Sequence, residues 1–509
     1  MSFRGINTTV IQIRRAVFTE VARMAYANVK GEEANHMMRS IPYKIIPGEE
    51  GKLRKDIFLE RAIVEERVRL AIGLPTRRMD EHNSVVSGLE DANIAAKYYD
   101  PPLVNVIKFA CNRCPEKMVK VSDLCQGCLA HPCMEVCPKG AIVWESGRST
   151  IDQEKCIKCG RCVDVCPYHA IVKTERPCAA ACGMGAIHSD ALGRAEIDYS
   201  KCVSCGQCLV NCPFGAIADK GQIYQLIQSF NRGDRVYALV APAFINQFPA
   251  LNTTQKLRAA LEQVGFCDTV EVAIGADLCA TQEAEDFVRE VPEEIPFMGT
   301  SCCPAWSVMA KKTFPDHANC ISMALTPMTL TARLIKHDHP NGKIVFIGPC
   351  AAKKLEAMRK SVRSEVDFVL TFEEMAGIFD ARHIELESLP EDPDGVNDAS
   401  TDGRNFAVSG GVAKAVVDVI QQRYPDREVK VAKAEGLREC RQMISDAVKG
   451  KYPGYLLEGM ACPGGCVAGA GTMQPIKRSQ AAVGIYARQA KHKTSSETEH
   501  IKELDKLVD

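Results

Sequence analysis

Cysteine is the residue type on which the chemistry of this sequence turns: there are 25 in 509 residues. Two groups share one spacing. Cys156, Cys159, Cys162 and Cys166 read C-x2-C-x2-C-x3-C before Pro167, and Cys202, Cys205, Cys208 and Cys212 repeat it before Pro213. Three thiolates on one tight loop suit three iron corners of a cubane. The proline ends the loop and sends the fourth thiolate towards a second cluster. A zinc site would need only isolated C-x2-C pairs and leaves the C-x3-C-P ending unexplained. The chemistry on offer is one-electron transfer.

Further half-sites complete the set, in the spacing of bacterial ferredoxins. Cys125, Cys128, Cys133 and Cys137 form C-x2-C-x4-C-x3-C-P and pair with the group from Cys156 to Cys166. Cross-ligation then assigns Cys125, Cys128, Cys133 and Cys166 to one 4Fe–4S cluster, and Cys156, Cys159, Cys162 and Cys137 to the next. Cys111, Cys114, Cys178 and Cys182 make one more half-site, interrupted by residues 115–177. With the group from Cys202 to Cys212 it gives Cys111, Cys114, Cys178 and Cys212 for one cluster, and Cys202, Cys205, Cys208 and Cys182 for another. One two-cluster unit is thus expected inside a second. Sixteen cysteines fill four clusters with none left over; two or three clusters are the alternatives. The same region carries an internal repeat, CPKGAI, CPYHAI, CGMGAI and CPFGAI at 137–142, 166–171, 182–187 and 212–217.

Three cysteine motifs lie further on: GTSCCPAW at 299–306, GPCAAKKLE at 348–356 and EGMACPGGC at 458–466. Each stands beside Gly or Pro, as ligands brought from separate loops to one metal site would. Together they resemble, in order and in domain, the TSCCP, PCxxKKxE and ExMxCPGGC signatures of the FeFe (iron-only) hydrogenases. The resemblance covers roughly residues 100–490. The TSCCPAW form and the cysteine-free N-terminal segment look like group B monomeric clostridial-type enzymes.

The resemblance implies an H-cluster: a 4Fe–4S cluster held by Cys303, Cys350, Cys462 and Cys466, bridged through Cys466 to a two-iron subsite with CO, cyanide and azadithiolate. Cys302 would not be a ligand. It would relay protons, which a thiol with a pKa of about 8.5 can do, although a lone cysteine is more often a small buried hydrophobe. Lys353 matches the lysine that contacts an iron-bound cyanide, Met460 the methionine near the bridging carbonyl, and Ala241 and Pro242 the small strand end beside the dithiolate. Glu283, Asp286 and Ser322 match the proton path, with Asp286 in place of a glutamate; acids on a helix are otherwise usually a solvated face. Three positions depart from the family: Gly348 for a methionine, Met328 for a glutamine, and Ala305 for the glycine of TSCCPGW. Cys267, Cys279, Cys320 and Cys440 match nothing and read as core residues.

These residues need a scaffold. The texture from about 233 is α/β. Apolar runs at 235–244, 343–350, 367–372 and 454–466 read as buried strands, and 253–264 and 410–423 read as helices between them. That alternation predicts parallel sheets flanked by helices, with Ala241-Pro242, Cys350 and Cys462 at carboxyl ends of strands, where such sheets bind ligands. The expected order is a mainly helical N-terminal segment (1–105, helices near 10–28 and 52–74), a packing or docking appendage whose role is unknown. Nested ferredoxin-like 4Fe–4S domains come next (106–222, inner pair about 121–172), then an H-cluster catalytic domain (233–490) and a charged tail (491–509), peripheral or frayed. The fold class is α/β, multi-domain.

Composition narrows the function. A net charge of −1 gives no basis for nucleic-acid binding, and no apolar run approaches the roughly 18 residues that cross a bilayer. The N-terminus shows no signal-peptide pattern, so the cysteines are expected to be reduced ligands in a cytoplasmic protein rather than disulfides. The resemblance implies reversible H2 oxidation and proton reduction, with ferredoxin or a similar low-potential carrier, H2 and protons, and maturation proteins for the two-iron subsite as partners. Two rival readings stand beside it. One is a hydrogen-sensing regulatory hydrogenase, for which no signalling module is evident. The other is a hydrogenase-like iron–sulfur assembly protein without the two-iron subsite.

Overall fold

The computed structural model describes residues 4–92, 101–248, 251, 253–359, 364–391 and 399–508. Helix α1 (Thr9–Ala27) is capped by Thr8, whose Oγ1 accepts from the Ile11 amide at 3.3 Å, and closed by Asn28 in the left-handed conformation. Helix α2 spans Glu32–Ile45. Helix α3 spans Ile57–Ala71 and is opened by Asp56, which accepts from the Phe58 amide at 2.7 Å.

These helices pack on the C-terminal region. Val17, Val21, Met38, Ile41, Val64 and Val68 share one apolar cluster with Val236, Leu239, Ile344, Phe372 and Met375. Helix α1 lies so close to the helix Phe372–Ala381 that a Cβ on Gly377 would stand 2.5 Å from the Phe18 Cβ. Arg14 and Glu373 close the same seam with a 2.5 Å ion pair. The N-terminal helices thus complete the core of the C-terminal region; residues 93–100 of the segment lie outside the described part.

Eight short strands shape the cysteine-rich region: β1 (Val104–Val106), β2 (Met118–Val121), β3 (Ile142–Glu145), β4 (Arg148–Ile151), β5 (Ile171–Thr174), β6 (Ile187–Ser189), β7 (Ala195–Ile197) and β8 (Ile217–Asp219). They pair antiparallel as β1-β8, β2-β5, β3-β4 and β6-β7. The β2-β5 ribbon therefore closes one unit, with β3-β4 within it, inside a larger unit closed by β1-β8. The apolar interior of the inner unit is small (Val119, Ile142 and Ile171, with Cys133 and Cys162 among them). Such an interior needs bound metal to hold it.

The C-terminal region contains β9 (Val236–Val240), β10 (Asp268–Glu271), β11 (Met298–Gly299), β12 (Lys343–Gly348), β13 (Phe368–Thr371), β14 (Lys430–Glu435) and β15 (Tyr455–Met460). One parallel sheet runs β10-β9-β12-β13, with Leu239 paired to Val270 on one side and Phe346 on the other. A second parallel sheet runs β11-β15-β14. Strand β9 is buried along its whole length, as a strand covered on both faces must be. The end of the chain is packed rather than frayed: Leu504 and Leu507 are buried, and Arg333 donates to the Leu507 carbonyl at 2.5 Å. No helix among the described residues is long and apolar enough to cross a membrane.

Candidate metal centre

Both parallel sheets deliver their carboxyl ends to one place. Strand β9 runs into Ala241-Pro242, β11 into Cys302 and Cys303, β12 into Cys350, and β15 into Cys462 and Cys466. Turns fix where the last two cysteines stand. Gly464 and Gly465 have φ of +99° and +92°, and a Cβ on Gly465 would stand 2.7 Å from the Ser409 amide nitrogen. Cys303 starts the helix Pro304–Thr313, and Cys350 leads into the helix Ala352–Ala357.

Ala241, Pro242, Cys302, Cys303, Cys350, Lys353, Met460, Cys462 and Cys466 all line a single cavity; the space between its walls, mouth included, is about 860 Å³. Most of the remaining wall is apolar, including Met328, Phe346 and Phe406. Burial raises the Cys303 thiol, and it raises Cys350 to about 11, with the charge of Cys303 adding to it. Cys466 is raised to about 12 by burial, then by Cys303 and Cys350; Cys462 is likewise raised well above the ordinary thiol value by burial, then Cys350 and Cys303. Four mutually repelling buried thiols become thiolates only around a compensating positive charge, which iron supplies. Among the described residues no three Cys, His, Asp or Glu side chains converge on one ion. A cubane is instead gripped at its corners by thiolates facing one another across a gap. The donor set fits that group.

Lys353 is 8% exposed. Its ammonium meets Glu356 Oε2 at 2.8 Å and donates to Thr326 Oγ1 at 3.2 Å. Burial opposes its charge, but Glu356, then Cys350 and Cys302, outweigh burial and hold its pKa above the ordinary lysine value. The cavity thus presents a cation that stays charged. The departure at 348 has a steric partner: a Cβ on Gly348 would lie 2.4 Å from the Phe346 ring, which occupies the room a larger side chain would need.

Behind Cys302 stands Glu283, fully buried in the helix Ala273–Glu290. Its Oε1 accepts from the Ser301 amide at 2.6 Å, and its Oε2 has no hydrogen-bond partner. Burial pushes this carboxyl up to about 7; Ser301 and Ser322 pull it back, and Asp286 adds to the rise. Ser322 thus acts on the acid from nearby without closing a full hydrogen bond to that oxygen. Asp286 lies one turn on, half-buried, and accepts from Arg289 at 2.5 Å. Burial raises the Cys302 thiol well above its usual value, and the Glu283 charge is the next contributor, followed by Cys279. Cys302, Glu283, Ser322 and Asp286 are therefore brought together between cavity and surface.

The sixteen cysteines from Cys111 to Cys212 fall into four groups. One small cavity is walled by Cys125, Cys128, Cys133 and Cys166, and another by Cys182, Cys202, Cys205 and Cys208. Burial raises Cys162, and the charges of Cys156, Cys159 and Cys137 reinforce it. Burial raises Cys178 to about 12, with Cys212 and Cys111 contributing; Cys114 is likewise raised by burial, Cys212 and Cys111. Cys205 lines both its own small cavity and the large one.

Several residues around the site carry little signal in the sequence. Glu356 sits inside the GPCAAKKLE motif, and its spacing from Lys353 was the signal for an ion pair. Ser301, Thr326 and Gln207 gave none, because their contacts come from distant loops. Cys267 is exposed and not a core residue, whereas Cys279, Cys320 and Cys440 are buried.

Residues 234–470 match the model of the iron only hydrogenase large subunit, C-terminal domain, and residues 155–216 and 124–171 match two 4Fe-4S dicluster domain models. The C-terminal region is FeFe hydrogenase-like. It is 30% identical over 267 residues to the periplasmic [Fe] hydrogenase large subunit of Nitratidesulfovibrio vulgaris, covering 44% of this chain and 63% of that one. It is 28% identical to iron hydrogenase 1 of Clostridium pasteurianum, covering 66% and 67%. It is also 24% identical to cytosolic iron-sulfur assembly component 3 of Bos taurus, covering 45% and 59%. The matches thus span roughly three fifths to two thirds of those relatives' own lengths. The chain carries ferredoxin-like 4Fe–4S domains ahead of a hydrogenase-type catalytic fold.

Proposed function

We propose that this chain is an FeFe hydrogenase that interconverts protons, electrons and H2. The observation that carries the reading is a fifth thiol and an ammonium, Cys302 and Lys353, in the same apolar cavity as four ligand thiols. A chain that held only a 4Fe–4S cluster there would need neither.

Cys303, Cys350, Cys462 and Cys466 would hold the 4Fe–4S part of an H-cluster. The H-cluster supplies the redox chemistry and the site where H2 is made or split. The chain's own residues do the rest. Lys353, kept charged by Glu356, offers a charge-assisted hydrogen bond to an anionic group. Ala241, Pro242, Met328, Phe346 and Met460 exclude water. Cys302 takes up and gives back a proton at its sulfur, and Glu283, Ser322 and Asp286 connect that sulfur with the surface.

Four accessory 4Fe–4S clusters on the cysteine groups described above carry electrons. The group beside Cys205 is the one next to the active site. At the other end, Cys159 is exposed and the inner unit shows Leu124, Leu129, Ile157 and Tyr168 to solvent, Leu129 at 95%. Exposed apolar side chains of this kind suit brief docking of a ferredoxin or similar low-potential carrier. Maturation proteins would install the two-iron subsite. The four regions act as an N-terminal core segment, nested cluster domains, a catalytic domain and a docked C-terminal tail, in a cytoplasmic enzyme of the group B kind.

Infrared spectroscopy of matured protein under H2 and then CO tests the reading: bands from iron-bound CO and cyanide are expected. Their absence after maturation would favour the assembly-protein reading, and bands with only very slow turnover would favour a sensor.

A further inference from the structure

Gln207 opens the short helix Gln207–Val210, between Cys205 and Cys208, yet its side chain reaches away from that cysteine group. Its Nε2 donates to Cys462 Sγ at 3.2 Å and to the Ala468 carbonyl oxygen at 3.2 Å. A carbonyl oxygen and a thiolate both only accept, so the amide nitrogen must be the end that faces them. The main-chain amide of the same residue supports the Cys205 thiolate. The two loops are pressed together: Gly206 has φ of +75°, and a Cβ there would stand 2.5 Å from the Ala470 Cβ and 3.3 Å from the Ala351 Cβ. Gln207 itself is 8% exposed, so water competes little for its hydrogen bonds.

We propose that Gln207 is a positioning residue for electron transfer, hydrogen-bonding one cysteine of each of two neighbouring clusters and raising the potential of the one held by Cys462. The inference rests on the cluster assignments of the proposed function. In the step concerned, one electron leaves the cluster of Cys182, Cys202, Cys205 and Cys208 and enters that of Cys303, Cys350, Cys462 and Cys466. The low-potential carrier replaces it. A donor aimed at a ligand sulfur favours the reduced, more negative state of a cluster, so it raises that cluster's potential. Because the donor belongs to the accessory loop, any movement of that loop away from β15 would weaken the bond and make the electron harder to accept.

The test uses the full chain made without its two-iron subsite, so that it carries 4Fe–4S clusters alone. Its potentials are read by electron paramagnetic resonance during a redox titration, and the signal missing from Cys303→Ala marks the cluster of interest. Gln207→Leu should shift that potential to a more negative value and leave the accessory potentials in place. Gln207→Glu, nearly the same shape but without the donor and with a negative charge, should shift it further the same way. A residue that mattered only for packing would lower iron content or melting temperature without moving one potential selectively. If the signal is present in both variants at the parental potential, the inference about Gln207 fails alone. If the parent has no such signal, the cluster assignment fails and takes the inference with it.

Discussion

Glu283 is anchored to the main chain of Ser301, its Oε1 2.6 Å from that amide nitrogen, so the acid is fixed to the residue immediately before Cys302. A carboxyl on one helix and a thiol on another loop are thereby held in register by a bond that involves neither the thiol nor the cofactor. That geometry makes the two neighbouring cysteines separable by experiment.

Cys302→Ala should retain every cluster and the CO and cyanide bands, and lose nearly all H2 production and oxidation. Cys302→Asp should recover part of the rate, since a carboxylate can exchange protons at that reach. Cys303→Ala should damage the active-site cluster itself, as iron analysis and infrared spectra will show. Parental turnover in Cys302→Ala would reduce Cys302 to a packed thiol beside a ligand.

Glu283 also predicts a pH dependence. Its folded pKa, about 7, stands above the ordinary value of 4.5. Stability from this group is therefore full in acid and declines as pH rises through the interval between them, by up to about 3 kcal/mol. Glu283→Gln should flatten that part of the profile, measured by denaturant unfolding between pH 4 and 8 (about that range, set by ordinary carboxylate and histidine values), and cut turnover by about 10²-fold or more. Asp277, buried against Ser400 and also raised to about 7 by burial, slopes the same way. Asp277→Asn is the control: it should remove its share of the slope and spare the proton path. An unchanged slope in Glu283→Gln would show that the carboxyl is not titrating there.

The ion pair of Lys353 and Glu356 predicts a cycle of variants. Glu356→Leu strands a buried ammonium and should cost about 3–5 kcal/mol. Changing Lys353→Met as well should restore much of that stability while leaving activity low. Melting temperatures of the four proteins check it; equal losses in the single and double variants would mean the pair has no net coupling.

Removing the residues before Cys111 takes away no thiolate, but it does take away a substantial part of the main apolar cluster. It also removes Arg54, which donates to the Phe214 carbonyl at 3.5 Å, and Arg67, which donates to the Gly215 carbonyl beside the Cys212 turn. The intact protein should carry about sixteen accessory irons. The truncated chain should be insoluble or iron-poor by anaerobic iron analysis. A soluble truncation with full iron would show that α1–α3 are dispensable.

Much of this was legible in the residues themselves. Cysteine spacing points to clusters because a cubane dictates where its ligands stand along a loop. The runs at 235–244, 343–350, 367–372 and 454–466 show as strands because full burial demands unbroken apolar sequence. What stayed hidden was tertiary. Nothing in α1 announces that Phe18 meets Gly377, since an amphipathic helix reads alike whether it packs on its own segment or on a distant sheet. The charged sequence from 491 onward conceals Leu504 and Leu507, two apolar residues too few to make a pattern. Gln207 reads as one of the interchangeable positions within a C-x2-C step, and only the approach of β15 gives it work.

The ribbon of β2 and β5 places Met118 opposite Thr174. The inner unit therefore enters and leaves its host at adjacent points, like a cassette whose two leads share one socket. A segment of this form can be gained or lost in descent with little disturbance to the surrounding chain path. The order of synthesis is constrained as well. Cys114 and Cys178 leave the ribosome on either side of the cassette, so the outer site stays incomplete until the inner unit has been made. On the proposed cluster assignment, the inner unit is the first that can be filled.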